Sequence, residues 1–332
     1  MFPPSHLLTR VTLLGLSAFI VACSDSANTT APTPLVPEEL MDAPEVSLAV
    51  ASPTAAKTYF DQAYATKSSA QKLDLYLPST GKGPFPVVVW IHGGGWRSGT
   101  KSLASHQAVL NLVSAGFAVA SVEYRLSQVA KYPAQIQDVK ASVRWLRANA
   151  GRFNLNPSRV GAWGVSAGGH LAALLGTSNG VAMLSDKTLG NASMSEKVSA
   201  VADFFGPISF LDMDSQLLSM GCGKYAGSGY SAPSSPPSLL VGASINSVPQ
   251  LVKRADPATF LGAGDAKFLI QHGTGDCIVP YKQSVDLTQE IRTLVGAANV
   301  TYKQMPGYKH GDSRFLSSAN VATVIQFFKT SM

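Results

Sequence analysis

Cysteine is scarce: the chain has three in 332 residues and no C-x-x-C pair. This excludes zinc-finger spacing and a disulfide-rich framework, so the fold must be held by its core, and no metal is called for. Charge is scarce too, at 14% of residues. The formal net charge of +6 is scattered; Lys253-Arg254 is among the densest clusters, and no Lys/Arg run or RNA-type aromatic motif occurs, which argues against a nucleic-acid partner. The apolar stretch 11–21 is too short to span a bilayer as a mature helix. No internal repeat is present.

What the chain does have is apolar content of 45%, enough to bury a large core in one catalytic-sized domain. Arg10 precedes the 11–21 stretch, which ends in Ile20-Val21-Ala22-Cys23, so residues 1–22 read as an export signal. The tetrapeptide resembles a bacterial lipobox, with Cys23 as the lipidated residue; the alternative is an ordinary signal cleaved near Ala22. In the lipoprotein reading the mature protein is anchored to a membrane and faces the periplasm or the cell exterior, with Ser24 compatible with outer-membrane sorting. Residues 23–57 are rich in Ala, Pro, Ser and Thr, with five prolines between Pro32 and Pro53, and read as a tether. Fully extended, it would reach on the order of 100 Å.

From residue 58 to 332, short apolar runs alternate with longer helical patterns, which predicts an α/β fold: a mainly parallel central sheet flanked by helices. Strands are expected at 58–64, 73–77, 87–91, 118–122, 160–163, 198–204, 268–271 and 300–305. A helix is expected from Pro133, at the first helical position, with Ile136, Val139, Val143 and Leu146 inward, Lys140, Arg144 and Arg147 toward the other side, and Gly151 as its stop. The stretch 208–264 breaks the alternation and reads as a cap or lid insertion.

Gly164-Val165-Ser166-Ala167-Gly168 is a complete G-x-S-x-G placed between a strand and a helix, where glycines permit a sharp turn that exposes a nucleophilic serine. A solvated serine in a tight turn is the bland alternative. His92-Gly93-Gly94-Gly95-Trp96 ends the 87–91 strand, where side-chain-free amides can approach a substrate oxygen. The N–H groups of Gly94, Gly95 and Ala167 are the expected oxyanion donors. A phosphate loop is disfavoured because neither Walker spacing nor a complete G-x-G-x-x-G follows. Of six histidines, only His310 lies downstream of the best acid and outside the signal, the glycine motif and the nucleophile helix, so it is the expected base. Asp276, just past the 268–271 strand, is the expected acid, with Asp203 as runner-up and a structural hydrogen bond as its ordinary role.

Together these motifs resemble the α/β-hydrolase superfamily, in particular the bacterial feruloyl-esterase-like branch near the hormone-sensitive-lipase group. The resemblance spans about residues 73–328 and includes Leu73-Asp74-Leu75-Tyr76-Leu77-Pro78, Tyr124-Arg125-Leu126-Ser127, Asp138 and Ser238-Leu239-Leu240-Val241-Gly242. Gly206-Pro207-Ile208-Ser209-Phe210 departs from the Thr-Asp that relatives often carry. The resemblance implies cofactor-free hydrolysis of carboxylic esters through an acyl-enzyme, with small-molecule or polysaccharide-linked esters, short-chain or compact aromatic, as expected substrates. An amidase or formamidase of the same fold is the runner-up, and a non-catalytic binding lipoprotein the reading from another class. Trp96, Tyr225 and Tyr230 are candidates for lining the pocket, or for the core. Export, and the removal of Cys23 by lipidation or cleavage, leave Cys222 and Cys277 as the expected disulfide, against the alternative of two buried thiols.

Overall fold

The computed structural model describes residues 57–332; the export signal, Cys23 and all of the tether but Lys57 lie outside the described residues. Among the described residues, eight strands form one sheet: β1 (Lys57–Ala63), β2 (Lys72–Leu77), β3 (Phe85–Ile91), β4 (Ala118–Val122), β5 (Leu155–Val165), β6 (Ala200–Phe204), β7 (Lys267–Gly273) and β8 (Val300–Met305). Their spatial order is β1-β2-β4-β3-β5-β6-β7-β8. The strands from β4 to β8 in this order are mutually parallel, and β1 and β2 join by antiparallel pairings.

Continuous apolar runs form these strands because both faces of the sheet are covered, and alternation then sorts the side chains into two cores. Val87, Val89 and Ile91 of β3 point into one core, with Ile136, Val139, Val143 and Leu171 from two helices. Val88 and Trp90 point into the other, with Trp163, Phe204, Leu269, Val324 and Phe328. Trp90 and Trp163 are register partners in β3 and β5, and their rings meet edge to face at 5.1 Å. The chain leaves β3 toward β4 on one side and β5 on the other. That reversal opens a crevice beyond the carboxyl ends of the strands, where ligands bind in open α/β sheets.

The helix expected from Pro133 spans Ala134–Ala148, with Pro133 outside it at φ −98°, ψ 20° rather than at the first helical position. Nor is Gly151 its stop. A short second helix, Ala150–Phe153, contains Gly151, and the chain turns at Asn154, whose φ is 54°. Lys140 and Arg144 do not face solvent but are fully buried. The segment after the nucleophile helix folds back over that face and supplies their partners. Arg144 donates to the carbonyls of Gly190 (3.0 Å) and Asp186 (2.8 Å) and pairs with Glu196. Lys140 donates to Ser178 O at 2.6 Å, and burial brings its pKa down to about 8 against the opposing pull of Glu196.

Residues 208–264 lie between β6 and β7 as a chain of short helices, the longest being Met213–Ser219. Phe210, Met213, Leu217, Tyr230, Leu240 and Ile245 join the first core, so the insertion packs continuously with the domain. Cys222 and Cys277 form a disulfide across 55 residues, with a Cα–Cα distance of 5.5 Å, tying the insertion to the loop after β7.

Two stability predictions follow from these ties. Glu196→Ala strands Arg144 as an uncompensated buried cation and is expected to cost about 3 kcal/mol or more, lowering Tm by on the order of 6 °C, measured by calorimetry. A loss below about 1 kcal/mol would mean that the pair is dispensable. Cys222→Ser releases a long loop and is expected to remove up to roughly 4 kcal/mol in the chain-entropy model. Two titratable thiols in unreduced, oxidatively folded wild-type protein would instead exclude the bridge.

Candidate active site

The carboxyl ends of β3, β5, β6, β7 and β8 converge at the crevice. β5 ends at Val165, and Ser166 follows with φ 53°, ψ −123° before the helix Ala167–Thr177 begins. A left-handed φ on a non-glycine residue is strained and persists only when the surroundings dictate it. Here the neighbours do so. A Cβ on Gly164 would lie 2.0 Å from Gly168 O, and one on Gly168 would lie 2.0 Å from Ile91 O. The helix can therefore start against β3 only with glycine at both positions. Ser166 N–H donates to Phe204 O at 2.9 Å, fixing the turn to the end of β6.

The expected base lies on the loop after β8 and the expected acid on the loop after β7, and the two loops are bonded together. Gly275 N–H donates to Tyr308 O (3.0 Å) and Gly307 N–H to Thr274 Oγ1 (2.8 Å). His310 Nε2 lies 2.9 Å from Ser166 Oγ, and its Nδ1 lies 2.7 Å from Asp276 Oδ2. Asp276 is fully buried, and Oδ1 accepts the N–H groups of Ile278 and Val279, each at 2.9 Å. Burial works to raise its pKa, but the charge of His310 and the hydrogen bonds from His272 and His310 outweigh it and hold the carboxyl well below the usual range. Asp276 is thus an anion aimed at Nδ1 of His310, which leaves Nε2 to take the serine proton.

Two histidines outside this path are held neutral. His92 and His170 are each brought to a pKa of about 4, chiefly by burial. His92 stacks on Tyr124 at 4.4 Å, its Nδ1 donates to Gly93 O at 2.8 Å, and the Tyr124 hydroxyl donates to His92 O at 3.0 Å, which shapes the glycine loop. His170 donates from Nε2 to Ala255 O at 2.7 Å. Asp203 does not reach His310; it is buried beneath the nucleophile turn, accepts Gly206 N–H at 3.1 Å, and is pushed up to about 7 by burial.

The glycine loop lies against the serine, since a Cβ on Gly93 would come within 3.3 Å of Ser166 Cβ. Gly94 and Gly95 have φ of 99° and 58°, and among the described residues the N–H groups of Gly94, Gly95 and Ala167 donate to no protein acceptor. The three amides are free to serve an anionic oxygen beside Ser166.

Two of the three aromatic pocket candidates prove to be core. Trp96 is 1% exposed, set between His170 and Phe210, and Tyr230 is 3% exposed with its hydroxyl donating to Ile278 O at 2.6 Å. Phe210 of the insertion packs against Trp96, and Tyr230 belongs to the insertion itself. Tyr225 keeps an exposed portion and stacks on Tyr230 at 4.4 Å. Sequence reasoning missed Phe205, whose φ is 44° and whose ring meets His310 edge-on at 4.9 Å. It also missed Pro236, which the insertion brings to within 3.3 Å of where a Gly95 Cβ would stand. His272, not among the expected site residues, places Nε2 3.2 Å from Asp276 Oδ2; the H-x-x-x-D spacing ahead of the acid is the signal for it.

Known proteins share this arrangement to differing extents. A solved structure titled as a truncated form of a carbohydrate esterase from gut microbiota is 32% identical, with TM-score 0.76, covering 85% of this chain and 98% of that one. A bifunctional GH43-CE protein of Bacteroides eggerthii is also 32% identical at TM-score 0.75, covering 84% of this chain and 36% of that one. Esterase LipC of Mycobacterium tuberculosis is 27% identical over 247 residues, 73% of this chain and 57% of the relative. The chain spans about half the length of the curated relatives it matches first. The family model described as BD-FAE matches residues 73–291, more than half of the sequence, and on that match, over an α/β-hydrolase fold, the chain belongs to the BD-FAE family.

Proposed function

We propose that the protein is a serine hydrolase of carboxylic esters that works through an acyl-enzyme. The observation that carries this reading is the unbroken hydrogen-bonded path from Ser166 Oγ through His310 to Asp276, opening beside three unclaimed amides. In the first step Ser166 Oγ attacks the ester carbonyl while its proton passes to His310 Nε2, and the Asp276 carboxylate stabilises the imidazolium. The carbonyl electrons move to oxygen, where the amides of Gly94, Gly95 and Ala167 hold the anion; one such donor is worth roughly 3 kcal/mol. His310 then gives the proton to the leaving alcohol as the carbon–oxygen bond breaks. Water, deprotonated by His310, attacks the acyl-serine; the acid leaves and Ser166 regains its proton.

The substrates we infer are short-chain or compact aromatic esters, acetyl or feruloyl in type, free or linked to polysaccharide. The insertion supports this, because it holds no long amphipathic helix of the kind an interfacial lid uses. The likeness to the gut-microbiota carbohydrate esterase, 32% identical, supports a sugar-linked ester. We also propose export as a lipoprotein anchored through Cys23, on the strength of the 1–23 sequence pattern.

Ser166→Ala and His310→Ala are expected to abolish turnover of p-nitrophenyl acetate with little change in Tm, and Asp276→Asn to lower kcat by roughly 10⁴-fold. The wild-type kcat/KM should fall on acidification, because a protonated His310 Nε2 cannot accept the serine proton. A fluorophosphonate probe that left Ser166 unlabelled in folded protein would defeat the hydrolase reading. Faster cleavage of a matched amide than of the ester would favour an amidase, and a preference for emulsified long-chain triglyceride over acetyl or butyryl esters would overturn the substrate class.

A further inference from the structure

The triad does not end at Asp276. His272, on β7, is fully buried and places Nε2 3.2 Å from Asp276 Oδ2, the same oxygen that faces His310 Nδ1. That nitrogen also lies 2.9 Å from Val279 O. Both neighbours are acceptors, since the Asp276 carboxyl is ionised and a carbonyl has no proton, so Nε2 must carry the hydrogen and donate. On the far side Nδ1 lies 2.7 Å from the hydroxyl of Ser284, itself fully buried on the helix Lys282–Ile291. A hydroxyl can donate to a bare Nδ1 or accept from a protonated one, so it accommodates either state of the ring.

The result is a five-membered path, Ser284–His272–Asp276–His310–Ser166, in which a carboxylate sits between two imidazoles and each imidazole faces a serine. Asp276 accepts four donors: two backbone amides on Oδ1 and two imidazole N–H groups on Oδ2. We propose that His272 is a positioning residue for the reaction, which fixes Oδ2 and draws negative charge from it, thereby limiting how strongly Asp276 stabilises protonated His310. This rests on the ester-hydrolase reading for its effect on rate. Without the His272 donor, Oδ2 carries more charge, the imidazolium is favoured, and His310 holds its proton to higher pH.

The other groups facing the cluster are Tyr230 from the insertion, whose hydroxyl donates to Ile278 O, and Asp214, which accepts Tyr230 N–H at 2.7 Å. Phe205 packs edge-on to both rings, and on the base loop exposed Lys309 adjoins His310 while Asp312 is paired with Arg314 at 2.6 Å. None of these donates to Oδ2, so the effect belongs to His272.

The test compares His272→Asn with His272→Gln. The Asn amide takes the place of Nδ1, keeping Ser284 and losing Asp276, whereas the Gln amide takes the place of Nε2 and keeps the donor to Asp276. Nuclear magnetic resonance titration of His310 needs no substrate, so it reads the proposal even if ester turnover fails and the hydrolase reading falls. The Asn variant should move the His310 midpoint, and the acid limb of kcat/KM, upward by about half to one pH unit, with the Gln variant close to wild type. A merely structural His272 would lower Tm in both and move neither midpoint, which would overturn the proposal. Should the Asn variant fail to fold, ¹⁵N spectra of the wild-type protein decide: Nε2 of His272 is expected to be protonated throughout the active range, and a bare Nε2 would refute the role.

Discussion

The contact on which the rest of the molecule depends is the close approach of the nucleophile helix to β3. Gly168 packs so near the Ile91 carbonyl, and Gly164 so near Gly168, that a side chain at either would lie 2.0 Å from a backbone oxygen. This approach sends the chain out of β5 into a helix within one residue and leaves Ser166 at φ 53°. It also brings the glycine loop at the end of β3 beside the serine, because Ile91 and Gly164 are register partners in adjacent parallel strands. The position of Ser166 and that of the unclaimed amides beside it are thus products of one packing constraint.

Low dielectric then separates the ionisable groups by their partners. His92 and His170 are buried without a neighbouring anion and are held neutral, so they serve as fixed spacers. Asp203, buried with one backbone donor, is pushed up to about 7. Asp276 is as deeply buried as Asp203, yet it remains an anion because four donors converge on it. The difference between the two aspartates is the loop after β7, which curls back so that the amides of Ile278 and Val279 face the carboxylate.

That loop is itself restrained from three directions: by hydrogen bonds to the base loop, by the Tyr230 hydroxyl on Ile278 O, and by the Cys222–Cys277 disulfide. Two of the three come from the 208–264 insertion. The insertion thereby reaches both ends of the site, since its Pro236 also abuts Gly95 of the oxyanion loop. Its packing into the main core makes it part of the scaffold that holds Ser166, His310 and Asp276 in place.

The eight strands, the turn at Ser166, the glycine loop, and the roles offered to Asp276 and His310 could be read from the sequence, because each is written in a short local pattern. Continuous apolar runs require cover on both faces, and glycines at fixed spacing require a tight turn, wherever the segment sits in the fold. Only the tertiary structure decided what covers each surface. Lys140 and Arg144 lie on what helical periodicity marks as a solvent face, and are buried because a segment some fifty residues away brings Glu196 and several carbonyls to them. Trp96 and Tyr230 became core for the same reason, and His272 met Asp276 because the loop doubled back on its own strand. Periodicity records which way a side chain points, whereas burial depends on distant chain that the local pattern does not contain.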